Sequence, residues 1–163
     1  MTGPGATMIM AAFTHLNLLG SRFSDGRWNV YYASESLDTA VAKVGHHRAA
    51  LLARTAEPAI DIDLRWIQAD VLDDLHDLRS RRSDLPGVYD PTFYGASQAL
   101  ATMLREQGSA GIAYESVRRP SGQCVAVFRP KASSNAWAGG HIGLHWDGMA
   151  ITHWFEKGAP HAV

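Results

Sequence analysis

The chain has 163 residues and a formal net charge of −1, with 46% hydrophobic and 19% charged residues. This is typical of a soluble globular protein, so residues 1–163 are predicted to form a single domain with a loose start over residues 1–7. The near-neutral charge argues against a nucleic acid or an anionic membrane as partner. A single cysteine and the lack of a long apolar run predict a cytoplasmic protein without disulfides.

The first third of the chain holds the most informative stretch. Ser21 to Gly26 ends in Asp-Gly and precedes the aromatic run Trp28 to Ala33, which predicts a β-hairpin carrying Arg22 and Tyr32. A helix is then predicted from about Ser36 to Ala56.

The predicted helix has an N-cap at Ser36 and one apolar stripe. Lys43 and His47 lie four residues apart on the flank of that stripe, so they share one side of the helix. The stripe consists of Leu37, Val41, Val44, Leu51 and Leu52.

The rest of the chain is rich in short strands. Ile60 to Leu64 alternates and predicts a strand with one wet face, and Asp90-Pro91 predicts the start of a helix that ends near Gly108. Short strands are expected at Gly111 to Tyr114 and at Cys124 to Phe128, which makes Cys124 a core residue. From Trp137 onwards we expect short strands separated by glycines, with a hairpin at Asp147-Gly148. This order predicts an α+β fold.

No common catalytic motif stands out from the residues alone. The eight histidines show no metal-ligand spacing, so no metal is expected. Ser116 follows a strand but lacks the G-x-S-x-G setting of a hydrolase nucleophile, so the residues alone favour a turn or capping role for it. Arg22 and Tyr32 indicate only a basic, aromatic-lined corner.

Four longer runs stand out: FTHLNLLGSRFSDGRWNVYYASESLDTAVA, HHRAALL, the segment from Tyr89 to Pro130, and HWDG. Together they resemble the RES domain, the toxin of RES–Xre type II toxin–antitoxin modules in bacteria. Within them, an Arg is followed ten residues later by a Tyr, and a strand ends in Tyr-x-Ser-x-Arg. The resemblance implies an ADP-ribosyltransferase-like fold, with a split antiparallel β-sheet core and flanking helices.

The resemblance also implies NAD⁺ as substrate. Arg22 would hold the NAD⁺ phosphates with Arg118, and Arg27 would assist or replace Arg22. Tyr32 would pack against the nicotinamide ribose or ring, and Ser116 would contact the nicotinamide end. The implied partners are an Xre-type antitoxin, expected to cover Arg22, and a protein that accepts ADP-ribose.

Position 43 departs from the pattern. The resemblance implies a glutamate there, because a carboxylate stabilises the oxocarbenium-like charge that develops when the nicotinamide–ribose bond breaks. The chain has Lys43, which predicts an attenuated or inactive variant; Glu35 and Asp38 lie more than a helical turn away.

Three functions therefore stay open. The first is transfer of ADP-ribose to a cellular protein, and the second is NAD⁺ depletion by hydrolysis or phosphorolysis. The third is a non-enzymatic module that only binds its antitoxin. A ribonuclease toxin is disfavoured by the neutral charge and the unpaired histidines.

Overall fold

The structure, a computed structural model, describes residues 5–158. Over that range it has three α-helices and two sheets, which confirms the predicted α+β class. The helices are α1 (Ala6–Thr14), α2 (Leu37–Thr55) and α3 (Gly95–Glu106). The strands are β1 (Tyr31–Ser34), β2 (Ile60–Val71), β3 (His76–Asp77), β4 (Gly111–Glu115), β5 (Gln123–Val127), β6 (Ser133–Trp146) and β7 (Ile151–Glu156).

The start of the chain is more ordered than predicted. Helix α1 begins at Ala6, so the end of the expected loose segment is helical, whereas residues 1–4 lie outside the described range. Ile9 of this helix is fully buried, and α1 packs mainly against β6. Burial of an apolar side chain stabilises this short helix through packing.

The first sheet has the strand order β1-β5-β4-β3. Strand β5 pairs antiparallel with β1 and β4, but β3 runs parallel to β4, so the sheet is not wholly antiparallel as the resemblance implied. Ile112, Tyr114, Cys124 and Ala126 are buried in the core cluster that this sheet forms with α3. The prediction of Cys124 as a core residue is confirmed.

The second sheet has the order β2-β6-β7 and longer strands than predicted. β6 is continuous over 14 residues, because its glycines make room for aromatic rings and do not end the strand. A Cβ at Gly139 would overlap the ring of Trp66, and one at Gly143 would overlap Phe155. The predicted hairpin between β6 and β7 is confirmed, with Gly148 at a φ of 100°.

The predicted hairpin, in which the Arg22 segment would pair with the aromatic run Trp28 to Ala33 across Asp25-Gly26, is wrong. Ser21 and Ser24 form an isolated bridge, and Arg22 and Phe23 at its tip are buried, so this tight turn enters the core. Strand β1 pairs with β5, with Tyr32 opposite Ala126. Burial of Arg22 and Phe23 outweighs the local preference for a hairpin.

Helix α2 begins as predicted: the Ser36 hydroxyl accepts a hydrogen bond from the Thr39 amide. Its apolar stripe packs on the second sheet through Leu37, Val41 and Val44, but Leu51 is 51% exposed, so the stripe leaves the core before the helix ends.

Helix α3 begins later than predicted. The Asp90 carboxylate accepts hydrogen bonds from the amides of Thr92 and Phe93, both at 2.8 Å, and this closes a turn ahead of the helix. The helix itself starts at Gly95. The Asp-Pro signal thus marks a turn.

Candidate functional site

A cleft of about 1510 Å³ lies between the two sheets. Its walls include residues of β1, β4 and β5 from the first sheet, of β2 and β6 from the second, and one side of α2. Five of the six predicted site residues line it: Arg22, Tyr32, Lys43, Ser116 and Arg118. The fold therefore brings together positions separated by almost a hundred residues.

The turn that carries Arg22 is anchored on helix α3. The side-chain amide of Gln98 donates hydrogen bonds to the carbonyls of Ser21 and Ser24, at 2.9 and 3.1 Å. The Ser97 hydroxyl donates to the Arg22 carbonyl at 2.6 Å. These contacts hold the turn at the cleft wall.

The Arg22 guanidinium is buried and only partly satisfied. Arg22 is 9% exposed. Its Nη1 donates a hydrogen bond to the Val88 carbonyl at 2.9 Å, whereas Nη2 has no hydrogen-bond partner among the described residues. The ring of Tyr94 lies 4.6 Å from Cζ. Burial lowers the pKa of Arg22. A buried cation with an unused donor is costly, and an anionic ligand would relieve that cost.

Tyr32 joins strand β1 to the turn. Its hydroxyl lies 2.8 Å from the Ser21 hydroxyl and accepts a hydrogen bond from the Phe23 amide at 2.9 Å. Burial raises the pKa of Tyr32 to about 12, so the phenol is neutral at ordinary pH. The hydroxyl thus holds the Arg22 turn, while the ring faces the cleft.

Lys43 lies between two tyrosines. Its Nζ donates a hydrogen bond to the Tyr114 hydroxyl at 3.0 Å and sits 5.2 and 5.4 Å from the ring centres of Tyr32 and Tyr114. Burial is the main cause that lowers the pKa of this amine, and the charge of Arg22 acts in the same direction. Within residues 5–158, Lys43 forms no ion pair with a carboxylate. His47, one turn further along α2, also lines the cleft.

Ser116 and Arg118 complete the wall beside Arg22. The buried Ser116 hydroxyl accepts hydrogen bonds from the amides of Arg118 and Arg119, both at 3.1 Å, as a turn residue does. The Arg118 guanidinium donates to the Pro91 carbonyl and lies 3.4 Å from the Tyr94 hydroxyl. Arg118 and Tyr94 thereby flank the Arg22 side chain.

Arg27 is placed elsewhere. It is an exposed residue that pairs with Asp25 at 2.7 Å, and it does not line the cleft. The assistance to Arg22 that the resemblance implied for it finds no support in this geometry.

The cleft is far more cationic than the whole chain. Among the described lining residues the only carboxylate is Glu35, at its exposed rim; Asp38 instead pairs with Arg119 at 3.0 Å. The arginine and lysine residues that line the cleft are Arg22, Lys43, Arg54, Arg65, Arg79 and Arg118, of which Arg79 pairs with Asp77 at 2.7 Å. This arrangement favours an anionic ligand.

Two tyrosines of the site were not assigned a role from the sequence. Tyr94 was expected only as part of a helix, and it covers the Arg22 guanidinium. Tyr114 bonds to Lys43. A signal existed for Tyr114, because Tyr114, Ser116 and Arg118 alternate at the strand end and so share one face. No local signal placed Tyr94 at Arg22.

Comparison with known proteins gives the family. A family model for the RES domain matches residues 2–147, so the chain belongs to the RES domain family. An uncharacterized protein, y4oC of Sinorhizobium fredii (strain NBRC 101917 / NGR234), is 29% identical over 143 residues. That match covers 88% of this chain and 59% of the relative, so the chain spans less than two thirds of that protein.

None of the helices between residues 5 and 158 is both long and apolar enough to cross a membrane. In the same part of the chain, no three His, Cys, Asp or Glu side chains are grouped so that they could hold a metal ion.

Proposed function

We propose that this RES domain is the toxin of a bacterial type II toxin–antitoxin module and acts on NAD⁺. It cleaves the nicotinamide–ribose bond and transfers ADP-ribose to a cellular protein. The observation that carries the proposal is the buried Arg22 guanidinium, whose Nη2 has no hydrogen-bond partner among residues 5–158 and lies at a cationic cleft walled by tyrosines. Membership of the RES family supports the use of NAD⁺ in general terms.

Each part of NAD⁺ has a matching group in the cleft. The forked donors of Arg22 and Arg118 suit the two phosphates. The Tyr32 ring, which lines the cleft, suits the pyridinium ring, which carries a positive charge. The Lys43 ammonium lies 5.2 Å from the centre of the Tyr32 ring in this structure, so stacking of the pyridinium requires that ammonium to move aside. The Tyr94 ring covers Arg22 in this structure, so binding of a phosphate to Nη2 requires that ring to move.

The cleft has no carboxylate at position 43 to stabilise the positive charge that develops on the ribose. Lys43 stands there, and Glu35 is the only carboxylate among the described lining residues. We therefore propose that turnover is attenuated relative to a domain with glutamate at this position.

Binding of NAD⁺ tests the proposed site directly. Calorimetry should show that Arg22→Met weakens NAD⁺ binding by about 2 kcal/mol, or roughly thirtyfold, because a charged hydrogen-bond donor to the phosphates is lost. Arg27→Met is the matched control, since Arg27 is an arginine five residues away that pairs with Asp25 outside the cleft. Equal affinities for the wild type and Arg22→Met would refute the proposed site.

The products decide between transfer and degradation. With labelled NAD⁺ and bacterial lysate, transfer gives a labelled protein, whereas hydrolysis or phosphorolysis gives free ADP-ribose or its phosphate. We expect a labelled protein. Free ADP-ribose with no labelled protein would support the alternative of NAD⁺ depletion.

A second candidate is a module that only binds an Xre-type antitoxin. Lys43 is the observation that favours it, because a lysine opposes the cationic transition state. Calorimetry with the antitoxin and with NAD⁺ separates the two functions, since this candidate predicts antitoxin binding alone.

A further inference from the structure

The Lys43 amine has an unusual environment for a lysine. It reaches the cleft between the rings of Tyr32 and Tyr114, with the Tyr114 hydroxyl as its hydrogen-bond partner. Among the described residues no carboxylate neutralises it, whereas Lys157 pairs with Asp63 on the second sheet. A lysine that is removed from water and lies near another cation is the type that reacts with carbonyl groups.

We propose that Lys43 is a carbonyl-reactive amine, which forms an imine with a phosphorylated aldehyde bound in the cleft. The open-chain form of a ribose phosphate belongs to this class of ligand. The reaction does not depend on whether NAD⁺ is a substrate, because it uses only the amine and an anion site beside it.

The step balances without an added oxidant or reductant. The Nζ lone pair attacks the aldehyde carbon, and the carbonyl oxygen takes up a proton to give a carbinolamine. Loss of the nitrogen proton and of that hydroxyl, as water, leaves the carbon–nitrogen double bond. The Tyr114 hydroxyl, 3.0 Å from Nζ, is placed to pass the proton from the nitrogen to the departing hydroxyl.

Several groups set the protonation of Lys43. Burial and the charge of Arg22 lower its pKa, while the Cys124 thiol opposes this shift. Each unit by which a lysine pKa falls increases the neutral fraction at pH 7 about tenfold. The titratable and charged groups that face the amine are Arg22, Tyr32, His47, Tyr114 and Cys124.

The cleft also supplies the partner for the phosphate. Arg22 is buried, and its charge acts on Lys43. Its Nη2 has no hydrogen-bond partner in the described part of the chain. Arg118 lies beside it, across the Tyr94 ring. A phosphate held by these guanidinium groups would keep an attached aldehyde near Nζ, which raises its effective concentration there.

The probe for this proposal is pyridoxal 5′-phosphate, with pyridoxal as the matched aldehyde without phosphate. The chain has only three lysines, Lys43, Lys131 and Lys157, so borohydride reduction followed by peptide mapping resolves each one. At pH 7 we expect Lys43 to be labelled several-fold faster than Lys131 and Lys157, because the guanidinium groups hold the phosphorylated aldehyde beside Nζ and burial lowers the pKa of the Lys43 amine. The ratio of the labelling rate with pyridoxal 5′-phosphate to the rate with pyridoxal should be larger at Lys43 than at Lys131 or Lys157.

Variants sharpen the test. Lys43→Arg keeps the positive charge and should abolish the fast labelling, whereas Lys157→Arg should leave it intact. Arg22→Met should reduce the preference of Lys43 for the phosphorylated aldehyde. Equal labelling of the three lysines by pyridoxal 5′-phosphate would overturn the proposal, as would a Lys43 rate that is the same for both aldehydes.

Discussion

At the scale of single residues, position 43 places a positive charge in the wall of the cleft. The helix delivers this side chain to the point where the Tyr32 and Tyr114 rings meet. A carboxylate there would stabilise a cationic transition state, and an ammonium opposes it. At about 4 Å and an effective dielectric constant of about 20, a unit charge pair is worth about 4 kcal/mol.

Under the proposed function, a carboxylate at position 43 should therefore raise turnover. We expect Lys43→Glu to consume NAD⁺ more than about a thousandfold faster than the wild type, because the added carboxylate alone lowers the barrier by about 4 kcal/mol, or three powers of ten in rate, and loss of the ammonium adds to this. Nicotinamide release under saturating NAD⁺ measures the effect.

Lys43→Gln is the control for this change. It removes the positive charge without supplying a carboxylate, so we expect it to lie between the other two proteins. Identical rates for Lys43→Glu and the wild type would show that position 43 has no catalytic role.

At the scale of elements, the site depends on how the Ser21–Ser24 turn is joined to β1 and α3. The turn contributes no long strand of its own, so side-chain hydrogen bonds hold it. The Tyr32 hydroxyl bonds to Ser21 and to the Phe23 amide, and Gln98 bonds to the turn from the other side. Arg22 is positioned through these contacts.

The Tyr32 hydroxyl should accordingly contribute more to the free energy of unfolding than a tyrosine hydroxyl without such hydrogen bonds. Tyr32→Phe leaves the Phe23 amide without its acceptor, so we expect a loss of about 1–3 kcal/mol of unfolding free energy. Chemical denaturation measures it. Tyr31→Phe is the matched control, since no hydrogen bond to the Tyr31 hydroxyl occurs among the described residues. Equal losses in the two variants would contradict this role.

The raised pKa of the Tyr32 hydroxyl predicts that the folded protein loses stability at alkaline pH. The pKa of Tyr32 is about 12 in the folded protein, whereas an unfolded tyrosine ionises near about 10. The folded state therefore keeps the neutral phenol longer, and the Tyr32 contribution is present below about pH 10 and lost as the pH rises through about 12. Between about pH 10 and about pH 12, Tyr32→Phe should therefore lose less unfolding free energy than the wild type.

At the scale of the whole molecule, positively charged residues are concentrated in the cleft between the two sheets. The chain carries a net charge of −1, yet the cleft between the sheets is lined by six arginine and lysine side chains and, among the described residues, one carboxylate. The cleft therefore presents a positive potential that the overall composition does not reveal.

Binding of NAD⁺ should weaken as salt is added. Between about 0.05 and about 0.5 M salt we expect the dissociation constant to rise several-fold, because ions screen the attraction between the cleft and the phosphates. Calorimetry over a salt series measures the change. Nicotinamide riboside, which lacks the phosphates, serves as the control; a salt-independent affinity for NAD⁺ would exclude a dominant role for the cationic lining.

Much of the local structure could be predicted from the sequence because local preferences and burial agree there. Ser36 starts α2 as expected, and the alternating or apolar runs at Gly111–Tyr114 and Cys124–Phe128 are strands. The helix also placed Lys43 and His47 on one side, and both line the cleft. These features depend on neighbours within a few residues.

What the sequence by itself determined was therefore the α+β class, helix α2 with Lys43 and His47 on one side, and the strand that carries Cys124. Only the tertiary structure decided that the Arg22 turn enters the core, that β1 pairs with β5, and that Tyr94 covers Arg22. The hydrogen bond between Arg22 and Val88 joins residues 66 positions apart, and the paired residues of β1 and β5 lie even further apart in the chain. Burial and strand pairing at such separations depend on the packing of the whole chain, which local sequence preferences do not encode.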